Sequence, residues 1–503
     1  MIVQVLFILI IIFLITYFQY MWRVYSYWKI RGVVGPKPYP FVGNYKTVMF
    51  REESEGDFLK KLYDQYPNEK FIGIYKGIRP VLIIRDPYYI KCVLIRDYDS
   101  FRDRCLESPL RMFDRSLFIM KGGARWHAMR TSLSPSFAKS KLVRMVPYIQ
   151  KGTDKYVQYV DYLISNNIEH EIRDLMSKCM TEIIGNVVFG VELEVFKSNN
   201  EFQDAINKVL NPQLQASLLH ASSFICPHVV QLIVPLIKRE FEKRLYNAFR
   251  KFVTSLIYQP RGNKNESPIF IDALVDLKEN CKVKHGREVP DIDDDDVVQQ
   301  CLTYCLATYE STSGVLSFMV HELAHNPHIQ NKCYEEIMTV LEKHDGPLTL
   351  EALNEMKYLE MTLDETMRLH PTPHCIDRKC SSKYTLPDTN ITVDKGTFIF
   401  IPVHGLHRDP KYYENPYVFD PERFLPENKA KTEPYVYLPF GDGPRTCLGL
   451  RLGKILLLAV MSSFLQKFKV SPCAKSKPIR YDPERQLATT AIGGVWVNIE
   501  PRS

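Results

Sequence analysis

The sequence lacks a CxxC pair, a GxGxxG loop after a predicted strand, a basic block interleaved with aromatics, internal repeats and low-complexity tracts. Each absence removes a class of protein. Without paired or regularly spaced positions, the twelve cysteines, at 92, 105, 179, 226, 281, 301, 305, 333, 375, 380, 447 and 473, do not read as a disulfide framework; they suit a reducing compartment. Without the glycine loop the chain carries no dinucleotide-binding fingerprint of its own. Without a basic block, the net charge of +7 argues for an anionic membrane surface or an acidic protein partner rather than nucleic acid.

What is present starts with size: 503 residues, 45% of them hydrophobic, are enough for two to four ordinary domains or one unusually large one. Residues 1–22, "MIVQVLFILIIIFLITYFQYMW", carry no charge and are long enough to cross a bilayer as a helix. The basic residues Arg23, Lys29 and Arg31 follow this run instead of preceding it, against a cleaved signal peptide. The expectation is an uncleaved anchor with the rest of the chain in the cytosol, and an interfacial belt of Tyr17, Tyr20, Trp22, Tyr25 and Trp28. Residues 23–40 form a basic, Pro-rich connector, and 41–503 the globular body. There "FIGIYKGIRPVLIIRDP" reads as two strands around a turn, helical periodicity dominates to about residue 375, and 391–402 and 491–499 read as strands. The fold class is mainly α with small β-sheets. The run "DIDDDD" reads as a helix N-terminus favoured by the dipole, not a metal site.

Two motifs compete for the chemistry. "HELAH", His321 to His325, is a literal HExxH, in which two imidazoles on one helical face would hold zinc and Glu322 would act as general base. Its extension fails, because His328 and Asn331 stand where a metzincin has Gly and His. The second is "PFGDGPRTCLG", Pro439 to Gly449. Its glycines allow a tight loop whose amides can point at a sulfur. Cys447 sits just before the apolar helix "LRLGKILLLAVMSSFL", whose dipole favours a thiolate, the form that binds metal.

This loop resembles that of the cytochrome P-450 superfamily: Phe440, Gly441, Gly443, Arg445, Cys447 and Gly449 fill all six fixed positions of its haem-binding pattern. The resemblance covers nearly the whole chain. It implies a single large haem domain of the cytochrome P-450 fold, haem b (iron protoporphyrin IX) as cofactor, and Cys447 as the axial thiolate ligand of the iron. "ETMR" matches the family's ExxR helix, and "FDPERF" supplies Arg423, so Glu365, Arg368 and Arg423 are expected to form a structural network. "WHAMR" matches the WxxxR helix. Trp126 and Arg130, with Arg378, Arg445 and more weakly Arg104, then stand where relatives hold haem propionates.

In "LATYESTSG" the resemblance aligns Ala307, Thr308, Tyr309, Glu310, Ser311 and Thr312 with the family's central-helix motif. It implies Glu310 as a proton-relay acid, Ser311 as a hydrogen-bond donor beside it, and Thr312 as the following hydroxyl. Two positions depart: Thr308 stands where the family has Gly, and Ser311 where it has Thr. The added bulk of Thr308 narrows the oxygen site or bonds back to its own helix.

Wording such as "ELAHNPHIQNKCYEEI" resembles the insect microsomal branch that oxidises plant compounds and insecticides. That implies a lipophilic small-molecule substrate, with a pocket drawing on Phe113, Phe118, the region 210–225, Tyr304, Ala307, Thr308, His374 in "TPHCI", and "TTAIGG". It also implies an endoplasmic reticulum location, electrons from NADPH through a separate NADPH-cytochrome reductase, and cytochrome b5 as a further donor. Arg125, Lys139, Lys141, Arg451 and Lys454 are the expected basic docking contacts. Alternatives are a haem-thiolate enzyme that rearranges peroxides, as isomerase or dehydratase, a non-catalytic haem or lipophile binder, and the zinc peptidase.

Overall fold

The computed structural model describes residues 2–105, 113–197, 202, 239–259, 269–279, 292–485 and 488–502. The helices that matter here are α1 Ile2–Tyr25, α2 Ala124–Leu133, α3 Lys139–Ser165, α4 Ile172–Ile184, α5 Asp294–His325, α6 Pro327–Lys343, α7 Lys357–Leu369 and α8 Leu450–Lys467. Strands β1 Phe71–Lys76, β2 Arg79–Ile84, β3 Ile376–Lys379 and β4 Phe398–Ile401 form one sheet in the order β1-β2-β4-β3. β5 Phe468–Pro472 and β6 Val497–Pro501 pair antiparallel elsewhere. The architecture is mainly α with small sheets, as the sequence implies.

The sheet is a hairpin extended by one parallel pairing. β1 and β2 pair antiparallel about Gly77, whose φ of +62° only glycine adopts readily, and β4 then runs parallel to β2. All four residues of β4 are buried, because both faces are covered. Alternate side chains pack oppositely: Leu82, Ile84, Ile399 and Ile401 on one side, Val81, Ile83, Phe398 and Phe400 on the other.

α5 is the spine. Asp293 caps it and Asp296 completes a capping box, with Asp294 and Asp295 in the same first turn, where the dipole favours them; Arg115, Arg125, Arg250 and Lys278 pair with these four carboxylates. The helix then passes through the main helical core against α4, α7 and α8.

α1 covers the expected anchor, although most side chains of residues 2–14 lie outside the description. Among the described residues, no helix is long and apolar enough to cross a membrane. The expected belt is partly wrong. Trp28 is 2% exposed and donates its indole N–H to the Ile74 carbonyl at 2.9 Å, while Tyr25 packs edge-on against Tyr75. Arg31 pairs with Asp394 at 2.6 Å. The start of the connector is therefore stitched to the sheet rather than spaced from it; Tyr20 and Trp22 remain exposed.

Candidate active site

The loop before α8 is shaped by close approaches. Gly441 and Gly443 have φ of +70° and +72°, and a Cβ on Gly443 would fall 2.0 Å from the Leu94 carbonyl oxygen, so no other residue fits there. The Cys447 amide donates to the Phe440 carbonyl at 2.9 Å, closing the loop under the half-buried Phe440 ring. The surface of Cys447 is open. Yet burial pushes its thiol pKa up, with Gly449, Arg130 and Arg104 pulling it down, so the sulfur faces an interior space rather than bulk solvent.

Arginines ring this space. Arg130 donates to the Thr446 carbonyl at 2.8 Å, beside Cys447. Arg445 donates to the carbonyls of Arg102 and Met120 at 3.0 and 2.7 Å, and its guanidinium lies 4.1 Å above the Trp126 ring. Arg378 is 1% exposed; burial together with Arg104 and Arg445 pushes it down to about 9. Among the described residues Asp377 lies 3.7 Å from Arg104, and Asp103 acts on Arg445. The Nε atoms of Arg104 and Arg378 are buried without a hydrogen bond. Such crowding is costly unless an anion joins it. The indole N–H of Trp126 goes to the Leu117 carbonyl at 3.2 Å, so this side chain supports Arg445 and donates to protein, not outward.

α5 presents its smallest residues to an open face. Between buried Leu306 and buried Tyr309, Ala307 is exposed and Thr308 half-buried, and Ser311, one turn on, is half-buried too. Ser311 donates to the Ala307 carbonyl at 2.6 Å and Thr312 to the Thr308 carbonyl, so both hydroxyls bond back to their own helix. Glu310 is buried, with Oε1 2.8 Å from Arg173 of α4 and 3.9 Å from Arg485, and with Oε2 unbonded. Sequence reasoning missed both arginines; no local signal links residues so far apart.

The ExxR pair lies behind the cysteine loop. Glu365 and Arg368 are wholly buried and bidentate, at 2.6 and 2.8 Å, and Arg423 approaches Glu365 at 3.5 Å. The Asp420 amide and the His407 carbonyl complete the set at 2.9 and 2.7 Å. These partners offset part of the desolvation cost of the buried pair; burial still pushes Glu365 up, against Arg368, the Asp420 amide and Arg423, which pull it down.

Other expected site residues fall differently. Tyr304 stacks on Phe270 at 4.6 Å and on Phe137, which reaches towards Gly449; its ring belongs to the wall beside the cysteine loop. Burial pushes its phenol up and Cys447 adds to the shift. His374 gives its imidazole to Glu55 at 3.1 Å. Phe113 packs on the helical core, and Phe118 lies under the Arg104 guanidinium at 4.3 Å. Residues 210–225 lie outside the described residues. Of the basic contacts, Lys454 is committed to Asp364 and Glu360 at 3.0 and 3.1 Å, and Arg125 to Asp296 at 2.9 Å; Lys139 and Arg451 are exposed.

HELAH is otherwise engaged. Glu322 is bonded to His370 at 2.8 Å, His325 to the His321 carbonyl at 2.9 Å, and burial pushes His321 down to about 4. Among the described residues no three potential ligands gather around a metal-sized site. His321 instead lines a surface cleft of about 600 Å³ with Glu52, Asp57, Glu322 and Tyr481, remote from Cys447 in its lining.

Residues 33–496 match the family model for cytochrome P450. The chain belongs to the cytochrome P450 family. It is 33% identical to Cytochrome P450 6B1 of Papilio polyxenes, over 96% of this chain and 97% of that one. It is 30% identical to Cytochrome P450 6B7 of Helicoverpa armigera, over 98% and 97%, and 31% identical to Cytochrome P450 6a2 of Drosophila melanogaster, over 95% and 96%. As a cytochrome P450 it is a haem-dependent monooxygenase, and its residues fit the group. A cysteine with an open surface lies near Tyr304 of α5, and buried guanidinium nitrogens without partners suit the two carboxylates of haem.

Proposed function

We propose that this cytochrome P450 oxidises lipophilic small molecules, with Cys447 as the axial ligand of haem b and Arg104, Arg130, Arg378 and Arg445 as partners of its propionates. The observation that carries this reading is the arginine cluster beside an open cysteine: among the described residues four cations share two nearby carboxylates, Asp377 and Asp103, and two of them have buried orphan nitrogens. Bound haem would supply the activation of dioxygen, one atom going to substrate and the other to water. The chain's own part is positional. Gly441 and Gly443 let the loop present the sulfur, the Glu365–Arg368–Arg423 network holds that loop, and Ala307 and Thr308 shape the space above it.

Glu310 holds a proton-relay position in this reading, with Arg173 2.8 Å and Arg485 3.9 Å from its Oε1. Ser311 and Thr312 start from hydrogen bonds to their own helix, so donating elsewhere requires a rotamer change. Electrons come from NADPH through a separate reductase, with cytochrome b5 as a further donor, since the chain lacks a dinucleotide fingerprint. The exposed Lys139 and Arg451 support docking on the face of the cysteine loop. The apolar residues 1–22 support an uncleaved anchor in the endoplasmic reticulum membrane, the body lying on the cytosolic side. The similarity to insect relatives supports xenobiotic oxidation.

The test is turnover of a panel of lipophilic compounds with and without NADPH and a cytochrome reductase. Reductase-dependent hydroxylated product is expected. Reductase-independent conversion of a hydroperoxide alone would make the chain a rearranging isomerase or dehydratase. Haem binding with no turnover would make it a binder.

A further inference from the structure

His407 links two parts of the site, the Glu365–Arg368 pair and the cysteine loop. It is wholly buried, with Nδ1 3.2 Å from the Arg368 carbonyl and Nε2 2.9 Å from the Leu438 amide nitrogen. A backbone N–H can only donate, so Nε2 accepts; Nδ1 then carries the proton and donates to Arg368. The neutral form is enforced, because burial, aided by Arg368, pushes the imidazole down to about 3. Arg368 returns a hydrogen bond from Nη1 to the His407 carbonyl at 2.7 Å. The Tyr437 ring stacks on the imidazole at 5.3 Å, and its hydroxyl donates to the Asp364 carbonyl of α7 at 2.9 Å.

Leu438 is the entry to the cysteine loop. Its amide is held by His407 and its carbonyl accepts from Gly441 at 3.1 Å, while Phe440 accepts from Cys447 at 2.9 Å. An unbroken series of short contacts thus runs from the Glu365–Arg368 pair through one imidazole to the loop. We propose that His407 is a positioning residue, a neutral two-ended link that carries the fixed geometry of the Glu365–Arg368 pair to Leu438 and so sets the register in which Cys447 is presented. This rests on the reading of Cys447 as axial ligand.

A packing role predicts that shape alone matters; a positioning role predicts that the acceptor facing Leu438 matters most. His407→Gln can place its amide oxygen near the Nε2 position, His407→Asn can place its amide nitrogen near Nδ1, and His407→Phe keeps only the ring. The full chain carrying haem is examined by the reduced carbon monoxide difference spectrum, reading the ratio of thiolate-type to non-thiolate band at equal haem content. Expected is a ratio within about twofold of the parent for His407→Gln and lower by about fivefold or more for His407→Asn and His407→Phe, the scale of an orphaned buried amide. Equal losses in the Gln and Asn variants, or a His407→Phe ratio like the parent's, would overturn the link. Should the Phe variant fail to fold, the Gln and Asn pair still decides. A parent without any thiolate-type band overturns the axial-ligand reading itself, whereas a normal parent with the wrong order among variants overturns only the role of His407.

Discussion

Two sets of buried arginines in this chain are satisfied in opposite ways. Arg368 is fully buried and has a bidentate carboxylate, Glu365, plus a backbone carbonyl. Arg378, 1% exposed, has Arg104 and Arg445 as its cationic neighbours and, among the described residues, Asp377 as its carboxylate, with its Nε orphaned. The first set is complete as protein and so is structural. The second is incomplete as protein, and its deficit has the sign and multiplicity of an anionic prosthetic group.

The comparison is broken most strongly by removing one charge from each set. Glu365→Ala leaves Arg368 buried and unpaired and is expected to destabilise the fold by about 3–5 kcal/mol, read by chemical denaturation. Arg378→Met relieves like-charge crowding. The haem-free protein is then expected to keep or gain stability, while haem retention weakens on the order of tenfold or more, measured by haem transfer to a scavenging globin. If Arg378→Met destabilised the haem-free chain as Glu365→Ala does, the two sets would not differ in kind.

Acid should attack the paired set. His404 and His407, near Arg368 and Arg408, are held neutral by burial, His407 down to about 3 and His404 well below its usual value. In the unfolded chain each titrates near 6.5, so the unfolded state binds more protons below that pH. Stability from these groups is full above about pH 6.5 and falls towards pH 3, by about 1.4 kcal/mol per pH unit for each histidine. Urea midpoints between pH 7 and pH 4 measure it, and His407→Gln should flatten the slope.

The smallest effect concerns α5. Thr308→Gly costs about 1 kcal/mol in helix stability. It is expected to raise product formed per NADPH consumed, because the bulk of the Thr308 side chain is lost. An unchanged ratio would show that Thr308 does not limit oxygen access.

Much of this was legible in local patterns. "DIDDDD" sits where a cap must be, the alternation around Gly77 makes a hairpin, and "ETMR" places both charges one turn apart on a helix apolar on several sides. Other features depended on partners distant in sequence. Arg173 holds Glu310, Asp364 holds Lys454 and Glu55 holds His374, and no periodicity announces such pairs. Trp28 read as interfacial because composition counts rings but does not see the Ile74 carbonyl that receives its N–H. His407 stands in no motif of the sequence, and its two partners, Arg368 and Leu438, lie more than thirty residues away on either side. Followed by Arg408 and Asp409 it reads as polar surface, whereas it is wholly buried and needs two partners.

The most direct measurement is the reduced carbon monoxide difference spectrum of the full chain and of Cys447→Ala. A thiolate-type band in the parent, absent from the variant, is the predicted result; a parent without that band, or a band that survives the loss of Cys447, would contradict the account.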